Sequence, residues 1–154
     1  MIKTKPLIIN LLISLGVGGL SALLTADSMK IYSCLIQPPL APPPWLFPIV
    51  WTVLFLLMGI SSYLIWVSDS ALRESVLTVY AIQLAVNFFW PIIFFGLEKY
   101  LFAFFWLISL IVLVIVMIVL FYKIKPSAAY LQLPYLAWLL FAAYLNLAIY
   151  LLNR

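Results

Sequence analysis

Apolar positions along this chain come in long unbroken runs rather than in alternation. Charged residues and prolines divide them into five stretches, at roughly 7–26, 45–67, 76–97, 101–122 and 128–152. Each is long enough to cross a hydrocarbon core, which takes about 20 apolar residues as a helix. The pattern predicts an all-α membrane protein, a bundle of five transmembrane helices forming one domain over 1–154. Strands are excluded: the runs do not alternate, and five strands are too few to close a barrel. Asp27 and Lys30 open the first connection, Asp69, Arg73 and Glu74 mark the second, Glu98 and Lys99 the third, and Lys123 and Lys125 the fourth. Trp45, Trp66, Tyr100, Tyr122 and Tyr130 stand near the ends of the runs, where aromatic side chains settle at membrane interfaces.

Lys3 and Lys5 followed by Leu7 to Leu24 have the outline of a signal peptide. The apolar run exceeds the usual core of about 7–15 residues, and Leu24 fits poorly three positions before a cut after Ala26. A retained first span is expected. The other connections are short and imply antiparallel neighbours, but 27–44 is different. Its second half, Gln37 to Pro44, carries Pro38, Pro39, Pro42, Pro43 and Pro44. Consecutive prolines lack donors and clash with preceding carbonyls, so this part is expected to be stiff and non-helical, a lid over one end of the bundle.

Small residues mark two helices. Ser14, Gly18, Ser21 and Ala22 share a face of the first span and would let another helix approach closely. Ala81 and Ala85 make a weaker pair in the third span, suited to oligomerisation. The fourth span, with Ser109 almost its sole polar residue, is expected to face lipid most extensively.

Composition narrows the class further. Hydrophobic residues make up 68% of the 154 and charged residues only 8%, and the mean hydropathy is +1.27. Soluble domains are near half apolar and about a quarter charged, so a soluble fold and a disordered chain are both excluded. The net charge of +4 comes from cations at the ends and in connections, which speaks to membrane topology rather than to nucleic acid. Cys34 is the single cysteine and there is no histidine. No disulfide within the chain is possible, and hydrolytic or metal-dependent chemistry is not expected.

No charged residue falls inside an expected span, which argues against an ion pump. The polar residues at depth are amides. Gln83 and Asn87 share a face of the third span with Trp90, and Asn146 lies on a broad face of the fifth with Tyr135, Trp138, Ala142 and Leu145. Such amides either glue helices together or orient a ligand in an apolar cavity. Trp51 and Phe55 from span two, Asn87 and Trp90 from span three, and Tyr135, Trp138, Ala142 and Asn146 from span five are therefore the candidate ligand-binding residues. They would converge beneath the lid on a flat, aromatic, uncharged site. Pro48, Pro91 and Pro134 would each perturb one of those helices and open space between them.

Two segments carry a family resemblance. Span three reads Gln83-Leu84-Ala85-Val86-Asn87-Phe88-Phe89-Trp90-Pro91, then Phe94-Phe95-Gly96; span five reads Pro134-Tyr135-Leu136-Ala137-Trp138-Leu139-Leu140-Phe141-Ala142, then Leu145-Asn146. With the prolines before Trp45 and the Trp51 segment, these resemble the translocator protein family, also called tryptophan-rich sensory proteins (TspO/MBR), over essentially the whole chain. The resemblance implies a five-helix bundle, commonly a homodimer, that binds porphyrins and benzodiazepine-site drugs and, in animal members, cholesterol. It implies that Trp51, Trp138, Asn87 and Ala142 line the pocket. It implies no resident cofactor, porphyrin being ligand or substrate, and in a bacterium it implies the plasma membrane. The chain departs from the family at Ile31-Tyr32, where Trp-Tyr is usual, and at Gln37-Pro38-Pro39-Leu40, where Lys-Pro-x-Trp is usual. Leu147 to Arg154 fits a loose sterol-contact pattern.

Three functions fit these residues. The first is a membrane receptor or carrier for tetrapyrroles. The second is an enzyme for light- and oxygen-dependent porphyrin degradation, with Trp51 and Trp138 as its catalytic tryptophans. The third is an assembly protein whose aromatics only pack. With no histidine and Cys34 in a loop, axial haem ligation is disfavoured.

Overall fold

The computed structural model describes residues 3–26 and 28–154; Asp27, expected to open the first connection, lies outside the described residues. The described chain is helical, without strands. It runs as α1 (Thr4–Leu24), α2 (Ser28–Cys34), α3 (Leu46–Trp66), α4 (Arg73–Pro91), a π-helical turn (Ile92–Gly96), α5 (Tyr100–Ile124), α6 (Pro126–Tyr130) and α7 (Leu133–Leu152). Five helical segments are long and apolar enough to cross a membrane: α1, α3, α4 with the π turn, α5, and α6 with α7.

Prolines explain where these helices start and break. Pro6 and Pro48 stand in the first turns of α1 and α3, where a missing N–H costs nothing. Pro91 ends α4, and the chain widens into the π turn, in which the Leu97 N–H reaches the Ile92 carbonyl at 2.9 Å. The fifth span was expected to be continuous over 128–152, but it breaks at Leu131–Gln132. Pro134 has no N–H to offer the carbonyl of Tyr130, so α6 closes and α7 restarts.

α1 packs chiefly on α3 and also touches α4; α4 continues to α5, α5 to α7, and α6 returns to α3. The α1 contact face is its polar one: Asn10, Ser14, Ser21 and Thr25 are buried. The Ser14 hydroxyl donates to the Phe55 carbonyl at 2.8 Å, and the Ser62 hydroxyl donates to Asn10 Oδ1 at 2.9 Å. In lipid an apolar face gains little by burial, so short polar side chains become the adhesive. α5, expected to face lipid most, instead buries a seam of Ala103, Leu107, Leu110, Val114, Met117 and Phe121. α1 is the helix left most open. A helix that is apolar all round shows no direction in its sequence, and only its neighbours select the buried side.

The Lys3 N–H donates to the Tyr63 hydroxyl at 3.0 Å, joining the start of α1 to the end of α3. Of the expected interfacial aromatics, Trp45, Trp66, Tyr122 and Tyr130 are exposed at helix ends, whereas Tyr100 turns inward beside Phe94, with ring centroids 5.1 Å apart.

Candidate functional site

A cavity of about 320 Å³ lies at the end of the bundle that carries the first connection. One wall is α1, through Gly18, Ser21 and Ala22, and the turn after it, through Thr25 and Ala26. The Ser21 hydroxyl donates to the Phe88 carbonyl at 3.3 Å, and the Thr25 hydroxyl donates to the Ser21 carbonyl at 2.9 Å. Both hydroxyls are thereby committed to main chain, and the wall they belong to is close to apolar. α3 contributes Phe47, Pro48, Trp51 and Phe55, and α4 contributes Asn87, Phe88, Trp90 and Pro91, with Phe95 from the π turn. The exposed rim is Ala22 and Ala26 on one side and Pro48 on the other, so the mouth opens between α1 and α3.

Asn87 is the polar feature of this site. It is only 3% exposed, and its amide Nδ2 has no hydrogen-bond partner. A buried amide donor left unmet costs on the order of 1–3 kcal/mol, and an acceptor on a ligand would recover it.

Of the eight residues expected to bind ligand, Trp51, Phe55, Asn87 and Trp90 line this cavity. Tyr135 and Asn146 stand one layer behind. The Tyr135 ring meets Trp51 edge-on at 6.3 Å, and its hydroxyl donates to Gln83 Oε1 at 3.0 Å. Asn146 accepts from Trp90 Nε1 at 3.3 Å and donates to the Tyr100 carbonyl at 2.8 Å, which fixes the indole where it borders the cavity. Ala142 is buried in α7 but is not part of the lining. Trp138 is separated from the cavity by Phe47, whose ring it meets edge-on at 5.9 Å.

The proline segment is non-helical, as its composition dictates, but none of its prolines lines the cavity. Pro38 and Pro42 are buried, while Pro39, Pro43 and Pro44 are exposed. Cover comes instead from α2, which the sequence reading did not anticipate. Its Tyr32 is 2% exposed and packs edge-on against Phe47 at 5.5 Å and Phe95 at 6.0 Å, two rings of the cavity wall. Burial raises the pKa of the Tyr32 hydroxyl, so it is neutral at any physiological pH. Gln37 Nε2 donates to the Tyr32 carbonyl at 2.9 Å and closes the end of α2. Past that point Asn153 holds the strap: its Oδ1 accepts from the Ile36 N–H and its Nδ2 donates to the Ile36 carbonyl, both at 2.9 Å. Asn153→Ala is expected to speed amide hydrogen exchange at Ile36 and its neighbours without loosening α3 or α5. Exchange measured by mass spectrometry checks this, and an unchanged Ile36 would show that the latch carries no stability.

In the sequence, Gly18, Ser21 and Ala22 suggest a surface for close helix approach, Phe88 and Phe95 stand out only within the family motif of span three, and nothing marks Phe47; all six line the cavity. Gly18, Ala22 and Ala26 do carry a signal, a small residue every fourth position, which leaves room beside a helix as readily as it admits a second one.

Five apolar spans, three of which wall an aromatic cavity with one unmet amide, define a multi-pass integral membrane protein. A model of the TspO/MBR family matches residues 9–152, and the chain belongs to that family. It is 39% identical over 148 residues to the tryptophan-rich protein TspO of Archaeoglobus fulgidus, covering 96% of both chains. Over 156 residues it is 34% identical to the TspO of Chlorobaculum tepidum, covering 99% of this chain and 97% of that one. It is also 35% identical to the human translocator protein over 140 residues, covering 89% of this chain and 83% of the relative.

Proposed function

We propose that this protein binds porphyrins, and planar apolar molecules of the benzodiazepine-site class, in the cavity between α1, α3 and α4, acting as a membrane receptor or carrier. The observation that carries the reading is Asn87: an unmet amide donor, almost fully buried, set among Trp51, Phe55, Phe88, Trp90 and Phe95. Aromatic faces favour a flat ring, and a single donor selects one that carries an acceptor. Without a histidine in the chain, free porphyrin should bind at least as well as haem. An absorbance titration of the purified protein with protoporphyrin IX tests this, with Asn87→Leu as the paired variant. Saturable binding that weakens about tenfold or more in Asn87→Leu supports the reading; binding indifferent to Asn87 sinks it.

Porphyrin degradation is the second reading, and it is favoured by Trp51, whose indole borders the cavity directly. The same titration under illumination in air separates the two. Protein-dependent bleaching points to an enzyme, and a stable spectrum to a receptor.

The reading extends to partners and orientation. A homodimer through α4 is supported by Ala81 and Ala85, which lie on its exposed face. A sterol could contact the stretch from Leu147 to Arg154, although Asn153 within it is engaged by Ile36. Lys3, Lys5, Arg73, Lys123 and Lys125 lie at the end of the bundle away from the cavity, against Lys30, Lys99 and Arg154 at the cavity end. The excess of cations supports a cytoplasmic location for the first end and an outside location for the cavity end, if the membrane is a bacterial plasma membrane. Cys34 is exposed at the cavity end, so an impermeant maleimide should label it in intact cells. Labelling only after lysis would invert the orientation.

A further inference from the structure

The cavity of about 320 Å³ lies at the lower end of the range for drug-sized ligands. A bicyclic or tricyclic ring fits that space, whereas a tetrapyrrole with its side chains needs more. The structure shows where more can come from. Trp51 faces the cavity, Trp138 does not, and the Phe47 ring stands between the cavity and Trp138. On its outer side Trp138 borders a second apolar space of about 530 Å³, a groove along α3 and α7 that includes Val50, Val53, Pro134 and Phe141. The wall between these two spaces is therefore thin where Phe47 meets Trp138, and there is room on both sides of it.

Phe47 is suited to move. It is half-buried and sits in the first turn of α3, just before Pro48. It packs at the edge of the core, and its aromatic contacts among the described residues are edge-on, to Tyr32 at 5.5 Å and Trp138 at 5.9 Å, with no stacked ring. An aromatic ring in a dense core has no alternative rotamer to occupy; one flanked by open volume does.

We propose that Phe47 is the size-determining residue of the cavity, a movable ring that admits two- and three-ring ligands while in place and a tetrapyrrole when turned aside. Turned aside, it exposes the face of Trp138 to the space beside Trp51, so that both tryptophans meet the larger ligand. The cost of turning is the loss of two aromatic edge contacts and of packing at the edge of the core, which a tetrapyrrole must meet from its own binding and a small ring need not.

The inference rests on the porphyrin-binding reading, and two probes keep the two separable: protoporphyrin IX, and acridine as its neutral base, a three-ring aromatic with one acceptor nitrogen. Each is titrated against the wild-type protein, Phe47→Ala and Phe47→Trp, with melting temperature recorded for every variant. Phe47→Ala should raise porphyrin affinity about tenfold relative to acridine, by removing the contacts that hold the wall shut. Phe47→Trp should lower porphyrin affinity by a similar factor relative to acridine. Should Phe47→Ala unfold, Phe47→Leu replaces it, with the same direction expected. Equal shifts for both probes, or none, in folded variants overturn the role of Phe47 while leaving the cavity assignment standing. Acridine binding with no porphyrin binding in any variant overturns the porphyrin reading together with this one.

Discussion

Trp51→Phe is expected to weaken both small planar ligands and porphyrin, by roughly fivefold to a hundredfold, while the melting temperature falls little. Stacking of an aromatic side chain on a planar ring is worth about 1–3 kcal/mol, taking aromatic–base contacts as the guide. Phe keeps an apolar ring against Phe55 and Tyr135, the neighbours of the indole at 5.6 and 6.3 Å, so the fold retains most of its packing. It gives up area and the indole N–H. If tryptophan oxidation drives bleaching, the light-dependent rate should fall further than affinity, because Phe is far harder to oxidise. Trp138→Phe should weaken porphyrin as well, through the widened state alone. Titration and illuminated spectra on both variants, with melting curves alongside, check these expectations. A large drop in melting temperature without a selective loss of binding would mean that Trp51 only packs.

The second large effect is expected at Gly59, where α3 lies tight against α1. A Cβ at Gly59 would lie 2.6 Å from Ser14 Oγ and 3.0 Å from Leu11 Cα. The second of these is backbone, so relief requires α1 itself to move away. Gly59→Val should therefore destabilise by at least the ~1–3 kcal/mol of an overpacked core and break the Ser14 bond to the Phe55 carbonyl. The melting temperature should fall by several degrees, and ligand binding should fall with it, since α1 is one wall of the cavity. Gly18→Ala provides the contrast. Its Cβ would overlap the Phe55 ring, a side chain that can turn. That change should reduce ligand affinity and lower the melting temperature less than Gly59→Val does. Equal melting losses in the two variants would show that Phe55 cannot yield and that Gly18 belongs to the packing seam instead.

Much of the bundle was legible in the chain because lipid imposes a simple condition. A span must satisfy its own main-chain hydrogen bonds and present apolar side chains over a fixed length. The runs bounded by Lys5, Arg73, Lys99 and Lys125 therefore announce their helices, and Pro91 and Pro134 announce a perturbation within theirs, each lacking the N–H that would donate to the carbonyl four residues earlier. Family membership was equally legible, since the order of residues around Asn87 and Trp138 carries it. The spacing of Gln83, Asn87 and Trp90 sets them on one face of their helix, and two of them, Asn87 and Trp90, line the cavity with Trp51 and Phe55.

What the sequence could not decide was direction and depth. α5 is apolar on every side, so only its packing on α4 and α7 selects the seam from Ala103 to Phe121. The small residues of α1 read as a packing surface, and the structure divides them. Ser14 meets the α3 main chain, Gly18 lies against the Phe55 ring at the cavity wall, and Ala22 stands exposed at the rim. Trp51 and Trp138 look equivalent along the chain, yet one ring, Phe47, puts them on different sides of a wall. Tyr32 and Asn153, far apart in sequence, together close one end of the bundle. These outcomes depend on which side chains three or four helices bring to one place. In lipid, where apolar burial provides little preference among faces, that choice falls to short-range fit and a few hydrogen bonds that no single helix contains.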